Sequence, residues 1–382
     1  MTYVTIGSRR VAVGAALDPF ERATALPREF YLEQAIYELE ELRVMRAHWL
    51  PLARVEEVSR PGDFVSKELL GDQLVVAHDL VGDIRVLSNV CRHRGMPLVD
   101  GSGNSRLLRC PYHLWTYHLD GALSGAPLMG QSFDRTSVCL PVIRHEIWNG
   151  WIMVNLDGCA GSLGERLGRL SQSLSDWGFD RLVLAGSRTY DCDWNWKIII
   201  DNFSEYYHHL GLHRESLEPF LPAREGSCLE NSGEPWSSST IGCSSDYVSL
   251  QGTSMSGLDD TRSREMQVFN VFPLLCAGAQ PSSAFWMQVQ PKGVARTIVT
   301  WHVLVRPERI DAPDLRVFVE DSLRAIDVLQ SEDSAACRGV QAGIRSTTYS
   351  PGMFAPLELP IWQLQRWLLH RLAEDTARLR ED

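Results

Sequence analysis

Cys91-Arg92-His93 and, after sixteen intervening residues, Cys110-Pro111-Tyr112-His113 are the stretches on which the reading of this chain turns. Each half offers one thiolate and one imidazole within a tight loop, and paired loops of soft ligands hold metal. Short β-type runs surround them. Gln73–His78 and Ile84–Val90 can be joined as a hairpin by Gly82-Asp83; Leu107–Cys110, Trp115–Leu119 and Trp151–Leu156 come after them. Turn signals at Gly101-Ser102-Gly103-Asn104 and Asp120-Gly121 separate these segments. The four ligand-type residues therefore belong to a small β domain.

Two thiolates on one iron and two neutral imidazoles on the other make a mixed-ligand [2Fe-2S] centre of the Rieske type, with a potential well above that of an all-thiolate cluster. Two Cys and two His also suit structural zinc. Zinc fingers, however, pair Cys with Cys and His with His and carry a finger helix, whereas this chain mixes one of each per half on β texture. Cys91, His93, Cys110 and His113 are read as cluster ligands.

Asn89-Val90-Cys91-Arg92-His93-Arg94-Gly95 and Cys110-Pro111-Tyr112-His113-Leu114-Trp115-Thr116-Tyr117 resemble the Rieske motifs of ring-hydroxylating oxygenase α subunits. Leu114 stands where that family usually has Gly, and His118 where an acidic residue is common. Neither is a cluster ligand.

A second concentration of chemistry runs from Trp196 to His213. On an α-helix Glu205 and His208 share a face. His208 and His213 are five apart, about 140° round an ideal helix, so one straight helix would splay them. Gly211 between them can end or bend the helix and bring His213 back. Two imidazoles and one carboxylate form the facial triad of Fe(II) oxygenases. The resemblance extends here: Asp201-Asn202-x-x-Glu205-x-Tyr207-His208-x4-His213 is similar to the family's mononuclear iron motif, which implies His208 and His213 as ligands. The family takes its third ligand from an Asp on a late helix, and the stretch from Glu332 to Gly343 looks like that region. Asp333 is the expected ligand, Asp321 and Asp327 are rivals on the same helix, and adjacent Glu332 is expected to point elsewhere. Glu205 occupies the position of the family's bridging acid, which links an iron-ligating His to a cluster His of the neighbouring subunit. Asp201 and Asn202 join it in the expected catalytic set, and His209 is expected to be structural or solvent-facing.

The rest of the chain sets bounds. At 382 residues it exceeds the size of about 250 at which single cores stop growing. The expected class is α+β: a small all-β Rieske domain plus a helix-grip-like catalytic domain with an antiparallel sheet flanked by helices. The expected divisions are 1–46, a helical segment (Tyr31–Met45) packing on the catalytic domain; 47–158, the Rieske domain; and 159–382, the catalytic domain. In the last, strands are expected at Met266–Leu275, Ala284–Gln290 and Arg296–Val305, helices at Leu315–Ile344 and Ile361–Leu379, and a mobile loop at Gly226–Asp260. A formal charge of −11 without clustered Lys and Arg argues against nucleic acid. No apolar run reaches the roughly 18 residues of a membrane span. The Val11–Leu17 run after Arg9-Arg10 is too short for a secretion signal, so a cytoplasmic protein is expected. Nine scattered cysteines suit reduced thiols.

The resemblance implies the terminal oxygenase of a multicomponent system, with a [2Fe-2S] cluster, a mononuclear Fe(II) and O2 as co-substrate. Electrons come from an NAD(P)H-dependent reductase, with or without a ferredoxin. A homotrimer is implied, with or without a small β subunit. Asn202, Phe203, Tyr207, the Gly226–Asp260 loop and the Met266–Val305 strands should line a pocket for a small apolar or aromatic substrate, hydroxylated by mono- or dioxygenation. The alternative is oxidative demethylation of a quaternary ammonium or betaine compound. A Rieske electron carrier without oxygenase chemistry, and a zinc-stabilised binding module, are the readings from other classes.

Overall fold

Runs rich in Val, Leu and Ile make strands of Asp63–Leu69, Asp72–His78 and Ile84–Ser88, which pair antiparallel in sequence order. In the computed structural model, which describes residues 3–7, 9–251, 254–255 and 257–373, the expected Gly82-Asp83 hairpin joins the last two. Gly82 takes φ 106°, and Asp79 Oδ1 accepts the backbone N–H groups of Val81, Gly82 and Asp83 at 3.0, 2.9 and 2.9 Å. Ser102–Asn104 adds a fourth strand beside Asp63–Leu69. Leu107–Arg109, Thr116–His118 and Leu123–Gly125 form one three-stranded antiparallel sheet, and Arg144–Trp148, Trp151–Asn155 and Leu50–Arg54 another. These strands make a unit spanning Trp49–Ala160. Its core, with Val75, Leu87, Leu108, Tyr117 and Leu140, encloses Cys91 and Cys110.

The second unit joins the chain up to His48 with the chain from Gly161. Seven strands form one antiparallel sheet: β1 Val183–Cys192, β2 Gly226–Leu229, β3 Trp236–Gly242, β4 Glu265–Val271, β5 Leu275–Gln280, β6 Ser283–Pro291 and β7 Thr297–Val305, in the order β1-β7-β6-β5-β4-β3-β2. Three of its helices are α1 Trp196–Phe203, α2 Leu315–Ile344 and α3 Leu359–Leu372. Asn195 caps α1, its side chain accepting from Lys197 N at 3.0 Å, and its own N–H donates to Gln341 Oε1 on α2 at 2.8 Å. The N-terminal segment is tied to α1 by a buried ion pair, with Lys197 Nζ at 2.7 and 2.8 Å from the two Glu40 oxygens and Trp196 Nε1 donating to Glu40 at 2.9 Å.

Several expectations need correction. The single strand expected at Met266–Leu275 is two, β4 and β5, because Pro273 has no N–H to give a ladder and the chain turns at Phe272-Pro273. The expected mobile loop at Gly226–Asp260 contains β2, β3 and a helix, Ser245–Gln251. Its serines belong in a sheet because their hydroxyls are satisfied there: Ser238 Oγ donates to Val268 O at 3.1 Å and Asn270 Nδ2 to Ser237 Oγ at 3.1 Å. The helix over Tyr31–Met45 starts at Glu29 and is interrupted at Glu33, which is extended. The helix expected at Ile361–Leu379 ends at Leu372, and 374–379 lie outside the described residues. Among the described residues no helix is long and apolar enough to cross a membrane.

Candidate metal centres

Two loops of the first unit carry the Cys and His residues, and they are built alike. Cys91 N donates to Met96 O (2.9 Å) and Gly95 N to Cys91 O (3.0 Å); Cys110 N donates to Trp115 O (2.8 Å) and Leu114 N to Cys110 O (3.1 Å). Gly95 and Leu114 hold equivalent places and both are left-handed, at φ 76° and 62°. That conformation costs a non-glycine residue about 1–2 kcal/mol, which gives a physical reason for glycine to be usual at 114. Both thiols are buried, and the His93 and His113 rings meet edge-on with centroids 4.6 Å apart. Tyr117 Oη lies 3.4 Å from Cys91 Sγ and accepts from Arg92 N at 3.0 Å. His113 Nδ1 is buried with no hydrogen-bond partner. Two buried thiols beside two adjacent imidazoles, one with an orphaned nitrogen, suit the mixed ligand set of a Rieske cluster.

In the second unit the helix that leads to the histidines stops earlier than expected. α1 ends at Phe203, so all three residues lie beyond it: Glu205 in the link from α1, His208 in a tight turn (Tyr207–Leu210) and His213 in the loop after it. Leu212 N donates to His208 O at 2.8 Å, and Leu217 and Glu218 N both donate to His213 O at 2.9 Å. Gly211 stays in the right-handed region, so the bend uses no conformation reserved for glycine. The turn brings the His208 and His213 rings to 5.0 Å between centroids, and the ligand atoms of His208, His213 and Asp333 lie within 4.8 Å of one another. His213 and Asp333 are buried, and His208 is half-buried.

Outer partners orient both rings. His208 Nδ1 donates to Glu205 Oε1 at 2.5 Å, and Glu205 Oε2 accepts from His208 N at 3.1 Å. His213 Nδ1 donates to Glu332 Oε2 at 2.7 Å, while its Nε2 faces Asp333 Oδ1 at 3.1 Å. Burial opposes protonation of His213, but Asp333 and Glu332 outweigh it and raise its pKa. Two imidazoles held by Nδ1, with a ligand atom of each within 4.8 Å of one carboxylate oxygen, suit the two-histidine, one-carboxylate set of a non-haem Fe(II) site.

Glu332 does not point elsewhere: with Ser216 Oγ donating to it at 2.7 Å, it is an outer partner of His213. Successive residues on a helix diverge by about 100°, enough for Glu332 and Asp333 to take opposite edges of one ring. Their adjacency was the available signal. Glu332→Ala should weaken iron binding about tenfold, the lower end of the range for outer partners because this side chain is 31% exposed, with Glu332→Gln intermediate. Equilibrium iron titration of the two variants checks this.

The rival carboxylates are engaged elsewhere. Asp327 accepts from Tyr190 Oη at 2.6 Å and pairs with Arg188 at 3.3 Å, and Asp321 pairs with Arg324. His209 is structural: it is buried, its Nδ1 donates to Leu221 O at 3.0 Å, and burial pushes its pKa down to about 4.

A cavity of about 680 Å³ opens beside the triad, lined by Asn202, Phe203, Phe285 and Trp301 among others. The rings of Phe203, Phe285 and Trp301 lie 5.8–6.4 Å apart. A second cleft of about 760 Å³ holds Tyr207 and Asp201; Asn202, Glu205 and His208 border both. Tyr207, expected in the substrate pocket, lines only this cleft. Asp201 is turned away from the triad, its Oδ2 accepting from Tyr31 Oη at 3.2 Å and Gln365 Nε2 at 3.1 Å. Burial pushes its pKa up to about 7. A carboxyl raised in the folded state stabilises the fold most below its unfolded pKa of about 4 and loses that contribution as pH rises through 7. Urea denaturation should therefore show stability falling from pH 5 to pH 8, and Asp201→Asn should flatten the fall.

Among known proteins, the family description "Ring hydroxylating alpha subunit (catalytic domain)" matches residues 179–374, and "Rieske [2Fe-2S] domain" matches residues 48–143. The carnitine monooxygenase oxygenase subunit of Acinetobacter pittii is 31% identical over 193 residues, 49% of this chain and 52% of that protein, so the chain spans about half the length of this relative. The glycine betaine monooxygenase oxygenase subunit of Pseudomonas aeruginosa is 26% identical over 424 aligned positions, covering 97% of this chain and 98% of that one. A solved quaternary ammonium Rieske monooxygenase superposes with a TM-score of 0.81 at 22% identity, over 94% of this chain and 98% of that chain. At that identity the likeness is one of fold.

Proposed function

Since this chain belongs to the ring-hydroxylating oxygenase α-subunit family, we propose that it is a terminal oxygenase, using O2 and NAD(P)H-derived electrons to hydroxylate a small organic molecule. The observation that carries this is the convergence of His208, His213 and Asp333 at the wall of a cavity large enough for such a substrate.

In this reading Cys91, Cys110, His93 and His113 hold the cluster, and His208, His213 and Asp333 hold iron. When bound, the cluster supplies single electrons and the ferrous ion supplies O2 activation. The chain's own residues do the rest. Glu205 and Glu332 fix the Nδ1 protons of the two histidines and so keep each Nε2 free to ligate. Phe203, Phe285 and Trp301 exclude water and offer flat apolar faces to a substrate.

An apolar or aromatic substrate is the main reading. Oxidation of a quaternary ammonium compound is the second, favoured by the three rings, whose faces attract cations, and by the names of the relatives. Partners in this proposal are an NAD(P)H-dependent reductase, with or without a ferredoxin, and two further copies in a cytoplasmic homotrimer.

Metal analysis after anaerobic reconstitution, combined with O2 consumption driven by a surrogate reductase over a panel of arenes and ammonium compounds, tests the proposal. Cluster iron without mononuclear iron would leave only an electron carrier, and a colourless zinc protein would overturn the reading altogether.

A further inference from the structure

Charge on the cavity wall narrows what can enter. Every formally charged side chain among the described lining residues is a carboxylate: Glu205, Asp321 and Asp333. Gly252, Thr253 and Ser256, beside lining residue Gln251, lie outside the described residues and are uncharged. The polar groups near the turn between β5 and β6 are neutral and already bonded to one another. Tyr247 Oη donates to Gln280 Oε1 at 2.5 Å, and Gln280 Nε2 donates to Ser283 Oγ at 2.9 Å. Elsewhere the wall is aromatic and aliphatic, with Phe203, Phe285, Trp301, Met287 and Val303. A carboxylate entering here would give up its hydration without meeting a cationic side chain among the described lining residues, and Glu205 would repel it; Asp333, whose charge the iron would offset, and Asp321, paired with Arg324, add little.

We infer that this cavity selects against carboxylates: its substrate is neutral or cationic, and any polar group it carries is an uncharged hydroxyl, carbonyl or amide facing Tyr247, Gln280 and Ser283. The inference rests on the reading of this cavity as the substrate site. It separates the chain from the relatives named for carnitine and glycine betaine, both of which are carboxylates, while leaving open an ammonium group whose carboxylate is absent or masked.

Matched pairs that differ only in that charge test it: carnitine and its methyl ester, glycine betaine and its methyl ester, phenylacetate and phenylacetamide. Each is titrated calorimetrically into the iron-loaded, cluster-containing protein, anaerobically and without reductant. The uncharged-end member of each pair that binds should do so roughly tenfold more tightly or better. Gln280→Arg, which adds a guanidinium to the wall, should invert the order, and Gln280→Met should not. A carboxylate binding as tightly as its ester or amide would overturn the inference, provided Ser322→Trp, which fills the cavity from α2, abolishes that binding. Binding that Ser322→Trp leaves untouched, or no binding by any of the six compounds, would instead overturn the substrate-site reading beneath it.

Discussion

Asp333→Ala is expected to leave the cluster's visible absorption in place while removing mononuclear iron, and to lower substrate-dependent O2 consumption on the order of 10³-fold or more. The scale comes from comparison: an outer partner of a ligand is worth about 10–100-fold, and a first-hand ligand from a set of three must exceed that. The selectivity comes from place. Asp333 is a buried residue of α2 facing His213, whereas all four cluster residues belong to the other unit. Asp333→Glu keeps the charge but adds a methylene, and should recover part of the iron. Asp327→Ala removes a carboxylate of the same helix that faces Tyr190 and Arg188, and should leave iron content unchanged. Iron-to-protein ratios and the absorption spectrum settle both. An Asp333→Ala protein with its full complement of mononuclear iron would refute the ligand assignment.

The contrast between these two aspartates shows where reading the chain unaided succeeds. Periodicity places Asp327 and Asp333 on one helix with the right ends, Leu315–Ile344, but cannot say which faces the histidines; the resemblance to a motif chose Asp333. The cluster residues are legible for a different reason: their loops are short and closed by local backbone hydrogen bonds, so spacing along the chain nearly fixes spacing in the fold. Long-range packing decides what stays hidden. Nothing within the stretch from Trp196 to His213 shows that α1 stops at Phe203, or that Asp201 turns toward Tyr31 and Gln365, residues 170 and 164 positions away in sequence. Likewise Gly226–Asp260 reads as loop on composition, because a serine's fitness for a central strand depends on partners such as Val268 and Asn270 in a later one.

Glu205→Gln should separate holding iron from using it. The glutamine can keep an oxygen where Glu205 Oε1 accepts the His208 Nδ1 proton at 2.5 Å, so the ring stays oriented and iron content should fall by no more than about threefold. What it loses is the negative charge, which strengthens that hydrogen bond and raises the basicity of the ligating imidazole. Because Glu205 is only 7% exposed, water screens that charge little. Turnover should therefore drop about 100-fold in kcat, with KM for the organic substrate little changed. Glu205→Ala leaves the His208 Nδ1 proton without its acceptor, and should add a loss of iron affinity of about 10–100-fold. Glu205→Asp draws the carboxylate back by one methylene and should lie between the two, closer to Gln in iron content. If Glu205 merely braced the turn through its second contact, Oε2 to His208 N at 3.1 Å, the Gln protein would lose iron and turnover in parallel, because an amide nitrogen at that position cannot accept the backbone N–H.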